Sequence, residues 1–269
     1  MAVPCLTDIE NLAKQAGKIL RDNYQPLPGS VNHLDIRYKG PIDLVTDVDR
    51  RSENFLLSEI KNAFPSHHII AEESGGQSGN LEHVWYIDPL DGTVNYAHGI
   101  PIFSVSIAYQ EAGQLVMGVV YDPMRDECFS AESGKGAWMN GQPIQPSHAT
   151  DLDHCLLVTG FPYDIRTSAE NNLDHYARLS ILSQGVRRLG SAALDTSYVA
   201  CGRFDGYWEM DLSPWDVAAG GLIARQAGAI VTNLKGAEDF LSQPQSIIAA
   251  PAPIHRQLLA YFQQYLGSN

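Results

Sequence analysis

The sequence has few cysteines and no long apolar run. Its four cysteines lie far apart and form no CxxC pair, which argues against a disulfide framework and a structural zinc site. No stretch approaches the roughly 18 uninterrupted apolar residues that a membrane helix needs. The N-terminus lacks the basic head and apolar run of a secretion signal. We therefore expect reduced, mostly buried thiols, a cytoplasmic location and no membrane partner.

Positive charge is also scarce. The chain has 18 Lys and Arg against 31 Asp and Glu, a formal net charge of −13, and no basic run longer than two residues. This charge repels nucleic acid, so we expect no nucleic-acid partner. A phosphate substrate would be repelled as well, unless bound cations invert the local field. On charge alone, an acidic chain that is merely soluble is the simpler explanation.

The apolar pattern predicts two lobes, each centred on a sheet. Helical spacing predicts a first helix over 6–20, capped by Thr7 and Glu10, and a second over about 49–63. Short apolar runs separated by turn signals then predict an antiparallel meander. In the second half, strand-like runs alternate with helical segments, which predicts another sheet with covering helices. We place the sub-lobes at about 1–150 and 151–269, within a single unit.

Four acidic clusters carry the chemistry, and the strongest is WYIDPLDGT at 85–93. A buried strand runs directly into Asp88 and Asp91, which can converge on one hard cation or bridge two. The Leu90 carbonyl can add a further oxygen of the kind that Mg²⁺ prefers. Gly92 lets the backbone approach a ligand closely, so its amide and the next one can face a phosphate. An Asp-rich turn that only caps a helix is disfavoured by the preceding strand and the following threonine.

The other three clusters are weaker by themselves. Glu72 and Glu73 follow a strand, and we expect only one of them to face the metals. Asp216 lies in the first turn of a predicted helix, where a simple partner of the helix dipole is equally plausible. Asp47 and Asp49 open the second helix, and one of them is expected to cap it. Local evidence therefore leaves each of these roles open.

Together the clusters resemble the motifs of the inositol monophosphatase family, within the lithium-sensitive, Mg²⁺-dependent sugar phosphatases. The motifs lie in the family's order over nearly the whole chain: DLVT at 43–46, AEES at 71–74, DPLDGTVNY at 88–96, GSAA at 190–193, YWE at 207–209 and WDVAAG at 215–220. The resemblance implies an α+β fold layered as αβαβα, usually a homodimer. It also implies hydrolysis of a small phosphorylated polyol, myo-inositol monophosphate above all, through in-line attack by a metal-activated water.

The resemblance further implies two or three Mg²⁺ ions per site. Glu72, Asp88 and the Leu90 carbonyl would hold the first ion. Asp88 would share the second ion with Asp91 and Asp216, and a third, weaker ion would lie near Glu72. Two departures from the family's pattern affect this third ion: Asp47 adds a carboxylate, and the segment 39–49, which begins with Lys39, is slightly short.

Roles in catalysis and substrate binding are implied in the same way. The implied catalytic residues are Glu72, Thr93 and Asp49, of which Thr93 and Asp49 would position the attacking water. The residues implied to contact the substrate are Asp91, Gly92, Thr93, Ala192, Glu209 and Asp216. In this set, the backbone amides of Gly92 and Thr93 would hold the phosphate, while Asp91, Ala192 and Glu209 would meet the polyol hydroxyls.

Other substrates and another class of function stay open. Fructose 1,6-bisphosphate and histidinol phosphate fit the local evidence as well as inositol phosphate does. 3′-Phosphoadenosine 5′-phosphate fits less well, since no adenine pocket is evident. Arg187 and Arg188 suit either a substrate phosphate or a role in the fold or the dimer interface. An interaction protein of the transcription machinery is the alternative from a different class.

Overall fold

The computed structural model describes residues 2–25, 37–38, 44–168 and 171–266. The predicted contribution of Lys39 to a third metal site lies outside these residues, as does Asp43 of the DLVT motif. None of the described helices has the length and apolar character needed to cross a membrane.

The described residues form two sheets and their covering helices. The helices are α1 (Leu6–Asn23), α2 (Asp47–Ala63), α3 (Thr93–Ala97), α4 (Leu173–Leu182), α5 (Ala192–Ala200), α6 (Pro214–Ala227) and α7 (Ala252–Leu266). The strands are β1 (Arg37–Tyr38), β2 (Leu44–Val45), β3 (His67–Ala71), β4 (Asn80–Asp91), β5 (Ser104–Glu111), β6 (Gln114–Asp122), β7 (Glu127–Glu132), β8 (Gly136–Met139), β9 (Gln142–Pro143), β10 (Leu156–Thr159), β11 (Gly185–Arg187), β12 (Gly206–Met210), β13 (Ile230–Thr232) and β14 (Ser246–Ala250).

The larger sheet contains β3 to β9 in chain order. The predicted antiparallel meander is right from β4 onward. It is wrong for the first pair, because the connection 72–79 carries the chain back before β4 begins and makes β3 and β4 parallel. Both strands therefore end at one edge, with Ala71 opposite Ile87. Glu72 and Asp88 follow these two residues and lie at that edge.

The smaller sheet has the order β11-β10-β12-β14-β13. Strand β10 is parallel to both of its neighbours, and the remaining pairs are antiparallel. The prediction of a second sheet with alternating helices is confirmed.

Three groups of buried side chains make five layers. Helices α1 and α2 cover the outer face of the larger sheet, and α4 and α7 cover the outer face of the smaller one. Helices α5 and α6 lie between the sheets, and all nine residues of α5 are buried, as expected for a helix enclosed on every side. The αβαβα prediction is confirmed. The boundary between the two sub-lobes stays a prediction.

Two predicted helix caps are wrong. Helix α1 begins at Leu6, two residues earlier than a Thr7 cap requires, and Cys5 with Asp8 forms its capping box. Helix α2 is capped by Thr46, whose side chain accepts from the amides of Val48 and Asp49. Neither Asp47 nor Asp49 is therefore the N-cap, because a threonine already precedes them in extended conformation. This leaves the Asp49 carboxylate available for a second contact.

The packing between β6 and α6 yields a stability prediction. A side chain at Gly118 would meet the Cα and carbonyl oxygen of Ala219 at 3.0 Å, and backbone atoms cannot turn aside. We expect Gly118→Val to lower the free energy of unfolding by about 1–3 kcal/mol through overpacking, measured by urea denaturation. Gly185→Ala is the control, since its nearest contact is the mobile end of Arg187. Equal stability of the two variants would contradict the close packing.

Candidate active site

The end of β4 carries the first two carboxylates. Asp88 and Asp91 pair with Ser106 and Ser104 of β5, and the register shifts between them. The bulge orients Asp88, whose Oδ1 accepts from the Leu90 amide at 3.0 Å. Asp88 is buried, and it lies beside Glu72 at the shared edge of β3 and β4.

Asp91 is tied to the N-terminus of α5. Its Oδ1 accepts from the Ala192 amide at 3.2 Å, and its Oδ2 accepts from the Ala193 amide at 3.0 Å. The hydroxyls of Ser191 and Ser104 also donate to Oδ2. Burial raises the pKa of Asp91 to about 6, although these hydrogen bonds lower it. The carboxylate thus joins the large sheet to the helix layer between the sheets.

Gly92 makes the turn that follows. Its φ of +96° is left-handed, and a β-carbon there would lie 2.9 Å from the Ile102 carbonyl oxygen, so another residue would be strained. Asn95 fastens the same turn, donating to the carbonyls of Ile102 at 2.8 Å and Leu189 at 2.7 Å. Asn95 lies within the quoted DPLDGTVNY motif, but our sequence reasoning assigned it no role.

Asp216 enters the site from the first turn of α6. It forms a capping box with Ser213, whose amide donates to Oδ2 at 2.7 Å, and Pro214 occupies the first helical turn. The Ser106 hydroxyl donates to the Trp215 carbonyl at 3.1 Å, which holds this helix start against β5. Asp216 is therefore both a capping residue and a member of the carboxylate group.

Asp49 and Thr93 meet although 44 residues separate them. The Thr93 hydroxyl lies 3.0 Å from Asp49 Oδ1 and 3.0 Å from the Leu90 carbonyl oxygen. The other oxygen, Asp49 Oδ2, accepts from the amide and hydroxyl of Thr46 at the start of α2. One oxygen of Asp49 therefore contacts Thr93, and the other contacts Thr46. Burial raises the pKa of this carboxyl.

Glu209 approaches from the small sheet. The Tyr207 hydroxyl donates to Glu209 Oε2 at 2.7 Å. Burial raises the pKa of Glu209 to about 7, and this hydrogen bond opposes the rise. The Glu209 carboxylate packs against Gly160, and a β-carbon at position 160 would overlap it. Only glycine fits there, which our sequence reasoning missed because Gly160 resembles an ordinary strand end.

These elements enclose one cavity of about 190 Å³. All six residues predicted to contact the substrate line it, namely Asp91, Gly92, Thr93, Ala192, Glu209 and Asp216. The lining also includes Asp195 and Arg188, neither of which was given a definite role from the sequence. The other predicted site residues, Glu72, Asp88, Leu90 and Asp49, do not line this cavity. Asp88, Leu90 and Asp49 are buried behind it.

The carboxylates repel one another strongly. Burial raises the pKa of Asp88 well above its usual range, and the charges of Glu72, Asp91 and Asp216 raise it further. The pKa of Asp216 is raised in the same way, chiefly by burial and Glu72. Among the described residues, Asp88, Asp91 and Asp216 form no ion pair with Lys, Arg or His. Buried like charges of this kind call for a cation.

The donor chemistry fits a hard divalent cation, since every candidate ligand is an oxygen. As placed, however, no three or more His, Cys, Asp or Glu side chains in the described ranges form a complete ligand set. The hydrogen bonds of Asp91 explain this in part, because they turn its carboxylate toward α5. Its Oδ1 accepts a hydrogen bond from the Ala192 amide and retains room for another partner.

Comparisons with known proteins cover almost the whole chain. The profile of the inositol monophosphatase family matches residues 4–266. An inositol-1-monophosphatase of Mesorhizobium japonicum is 41% identical over 96% of this chain and 95% of its own. Nus factor SuhB of Salmonella typhimurium is 40% identical over 98% of this chain and 97% of its own. The crystal structure of extragenic suppressor protein suhB from Bartonella henselae has a TM-score of 0.88 at 37% identity, covering 96% of this chain and 98% of that one.

The raised pKa values predict that the stability of the fold depends on pH and that a bound cation removes this dependence. Between its unfolded and folded pKa values, such an acid binds more protons when folded, so stability falls as pH rises. This pH range runs from about 4 to about 6 for Asp91 and from about 4 to about 7 for Glu209. Without divalent cations, we expect Tm to fall by several degrees between pH 5 and pH 8. Mg²⁺ should raise Tm more at pH 8 than at pH 5.

Differential scanning calorimetry with chelator and with Mg²⁺ measures this effect. Asp91→Asn should flatten the pH dependence of the chelated protein, because the amide does not titrate. Asp174→Asn is the control, since it makes the same change on the exposed side of α4. A chelated protein whose Tm rises from pH 5 to pH 8 would contradict the assignment of buried, repelling carboxylates.

Proposed function

The chain belongs to the inositol monophosphatase family, and we propose that it is a Mg²⁺-dependent phosphomonoester hydrolase acting on myo-inositol monophosphate. The observation that best supports this is the single cavity lined by all six residues expected to contact the substrate. Asp91 and Asp216 lie on the side of the repelling carboxylates. Glu209 supplies a hydrogen-bond acceptor for a polyol. Ala192 lines the cavity beside it, with its amide donating to Asp91.

The proposed ligands divide between two Mg²⁺ ions, with a third, weaker ion near Glu72. Glu72, Asp88 and the Leu90 carbonyl would hold one ion, and Asp88, Asp91 and Asp216 would hold the other. When bound, Mg²⁺ lowers the pKa of a coordinated water and neutralises charge on the leaving oxygen. The chain itself fixes where this happens, because the β4 bulge and the starts of α5 and α6 hold Asp88, Asp91 and Asp216.

The chain positions the reacting groups for an in-line attack by water. The amides of Gly92 and Thr93 hold the phosphate, since the left-handed turn at Gly92 brings the backbone close to the cavity. The Thr93 hydroxyl accepts a hydrogen bond from the attacking water and donates its own hydrogen bond to Asp49 Oδ1, which lies 3.0 Å away. Glu72 is the further group proposed to activate the water. No phosphoenzyme is needed.

Oligomeric state and location are part of the same proposal. We expect a homodimer in the cytoplasm. The four cysteines, all unpaired, are consistent with a reducing compartment. Size-exclusion chromatography with light scattering tests the dimer.

A second candidate function comes from the relative named Nus factor SuhB. That name favours an interaction protein of the transcription machinery, and it conflicts in part with the expectation of no nucleic-acid partner. The net charge of −13 favours contact through a protein rather than directly through RNA or DNA. A pulldown with purified transcription factors tests this candidate. A phosphate-release screen that includes fructose 1,6-bisphosphate, histidinol phosphate and 3′-phosphoadenosine 5′-phosphate tests the other substrates.

The metal requirement has a direct test. We expect phosphate release from myo-inositol 1-phosphate to require Mg²⁺ and to be abolished by Asp88→Asn, because an amide carries no charge to hold two cations. Far-UV circular dichroism should show an intact fold, and Asp174→Asn should retain full activity. Li⁺ should inhibit at millimolar levels. Undiminished activity in excess chelator, or near-normal turnover of Asp88→Asn, would reject the metal-dependent mechanism.

The Thr93–Asp49 pair predicts non-additive kinetics. Thr93→Ala and Asp49→Asn should each lower kcat by roughly 10²–10⁴, the usual scale of acid–base catalysis. An asparagine at position 49 has one acceptor oxygen, so it cannot serve both Thr46 and Thr93 as the carboxylate does. The double variant should be scarcely slower than the slower single variant, because the two residues act as one unit.

The simpler explanation is that Asp49 only supports the cap of α2. Asp49→Asn would then lower thermal stability slightly and leave kcat nearly unchanged, since asparagine can still accept from the Thr46 amide. Additive losses in the double variant would favour the same explanation. Thr46→Ser, which keeps the capping hydroxyl, is the matched control and should leave kcat close to that of the wild type.

A further inference from the structure

Asp195 is a buried acid that the proposed mechanism does not use. It lies in the first turn of α5, is 1% exposed and lines the cavity together with Glu209. Burial raises the pKa of Asp195 well above its usual range, the charges of Glu209 and Asp91 raise it further, and Arg188 lowers it. The residue therefore lies among the charged groups of the cavity.

Helix capping does not explain this carboxyl. An acid near a helix start commonly accepts from the free backbone amides there, but α5 has already paired its own. The Ala192 and Ala193 amides donate to Asp91, the Leu194 amide donates to the Ser191 hydroxyl, and the Asp195 amide donates to the Ser191 carbonyl. Every backbone donor of the first turn has a partner other than the Asp195 side chain.

No other group of the described chain satisfies Asp195 either. Its Oδ1 is buried without a hydrogen-bond partner. It forms no ion pair within the described ranges, and Arg188 is exposed. Buried carboxylate oxygens almost always have a partner, and an exception calls for an explanation. A ligand in the cavity that Asp195 lines would supply the missing partner.

The charge of this part of the cavity selects the chemistry of that partner. Glu209 and Asp195 come from the side of the small sheet and α5, and Arg188 is the single cationic side chain among the described lining residues. A second phosphate would meet two carboxyls here, whereas a neutral hydroxyl can donate to either of them. A hydroxyl-bearing leaving group therefore fits this part of the cavity better than another anionic group.

We infer that Asp195 is a specificity-determining residue whose unpartnered oxygen accepts a hydrogen bond from a hydroxyl group of the substrate's polyol. The inference rests on the proposed function, since it concerns the leaving group of the same site. Asp195 and Glu209 then each accept a hydrogen bond from a different hydroxyl of the same ring. The pair also disfavours a bisphosphate, because its second phosphate would approach both carboxyls.

Two substrates with the same ring isolate this contact. Cyclohexyl phosphate has the ring of myo-inositol 1-phosphate and none of its free hydroxyls. We expect Asp195→Ala to lower the ratio of kcat/KM for myo-inositol 1-phosphate over cyclohexyl phosphate by about tenfold, the effect of losing one hydrogen bond to the substrate. Most of the change should be in KM. Asp195→Asn keeps one acceptor oxygen and should lie between Asp195→Ala and the wild type.

Thr196→Val is the matched control. Thr196 is the next residue of the same helix, is equally buried, and packs against Gly220 of α6 rather than lining the cavity. It should leave the substrate ratio unchanged even if it lowers stability. A ratio that Asp195→Ala leaves at the wild-type value, or that Thr196→Val lowers as much, would overturn the inference.

Binding without turnover separates this inference from the proposed function. The rise in Tm produced by myo-inositol 1-phosphate with Mg²⁺ should be smaller in Asp195→Ala than in the wild type, and unchanged in Thr196→Val. A wild type that binds this ligand but releases no phosphate would reject the proposed function and leave the inference standing, provided that Asp195→Ala binds more weakly. A wild type that neither binds nor hydrolyses it would reject both.

Discussion

The mutual repulsion of buried carboxylates is the constraint on which the rest of the site depends. Asp88, Asp91 and Asp216 are brought together with Glu72 at one edge of the large sheet. Burial raises the pKa of Asp88 well above its usual range, and the charges of its neighbours raise it further. Burying like charges is costly unless an opposite charge offsets them. A bound divalent cation would offset this cost, which is the basis of the proposed metal-dependent mechanism.

Helix starts hold this arrangement in place. Helices α2, α5 and α6 all begin at the site, and in each case an acid accepts from backbone amides at the start of the helix. Asp49 and Asp216 belong to their own helices, whereas Asp91 comes from β4 and meets α5. The positive ends of the helix dipoles partly offset the negative charges. The carboxylates that accept from the helix starts are therefore the same ones to which the proposed mechanism assigns a role.

This double use explains why local reasoning left several roles open. For Asp49, the choice lay between a helix cap and a partner of Thr93. One of its oxygens accepts from the Thr46 amide at the helix start, and the other accepts from the Thr93 hydroxyl. For Asp216, a dipole partner and a site residue were equally plausible, and the capping box with Ser213 places the carboxyl in the cavity lining. Sequence patterns describe one contact per residue, whereas a carboxylate can accept several hydrogen bonds in different directions.

The sequence by itself determined two sheets with covering helices, the strand that runs into DPLDGT and the set of acidic candidates, because periodicity and turn residues act over short distances. The order of the layers followed from the resemblance to the family. Only the tertiary structure decided that β3 and β4 are parallel, that Thr46 caps α2, and that Asp195 lies unpartnered beside Glu209. These features depend on contacts between distant segments, such as the 101 residues between Asp91 and Ala192. Local sequence patterns carry no information about which distant segments will meet.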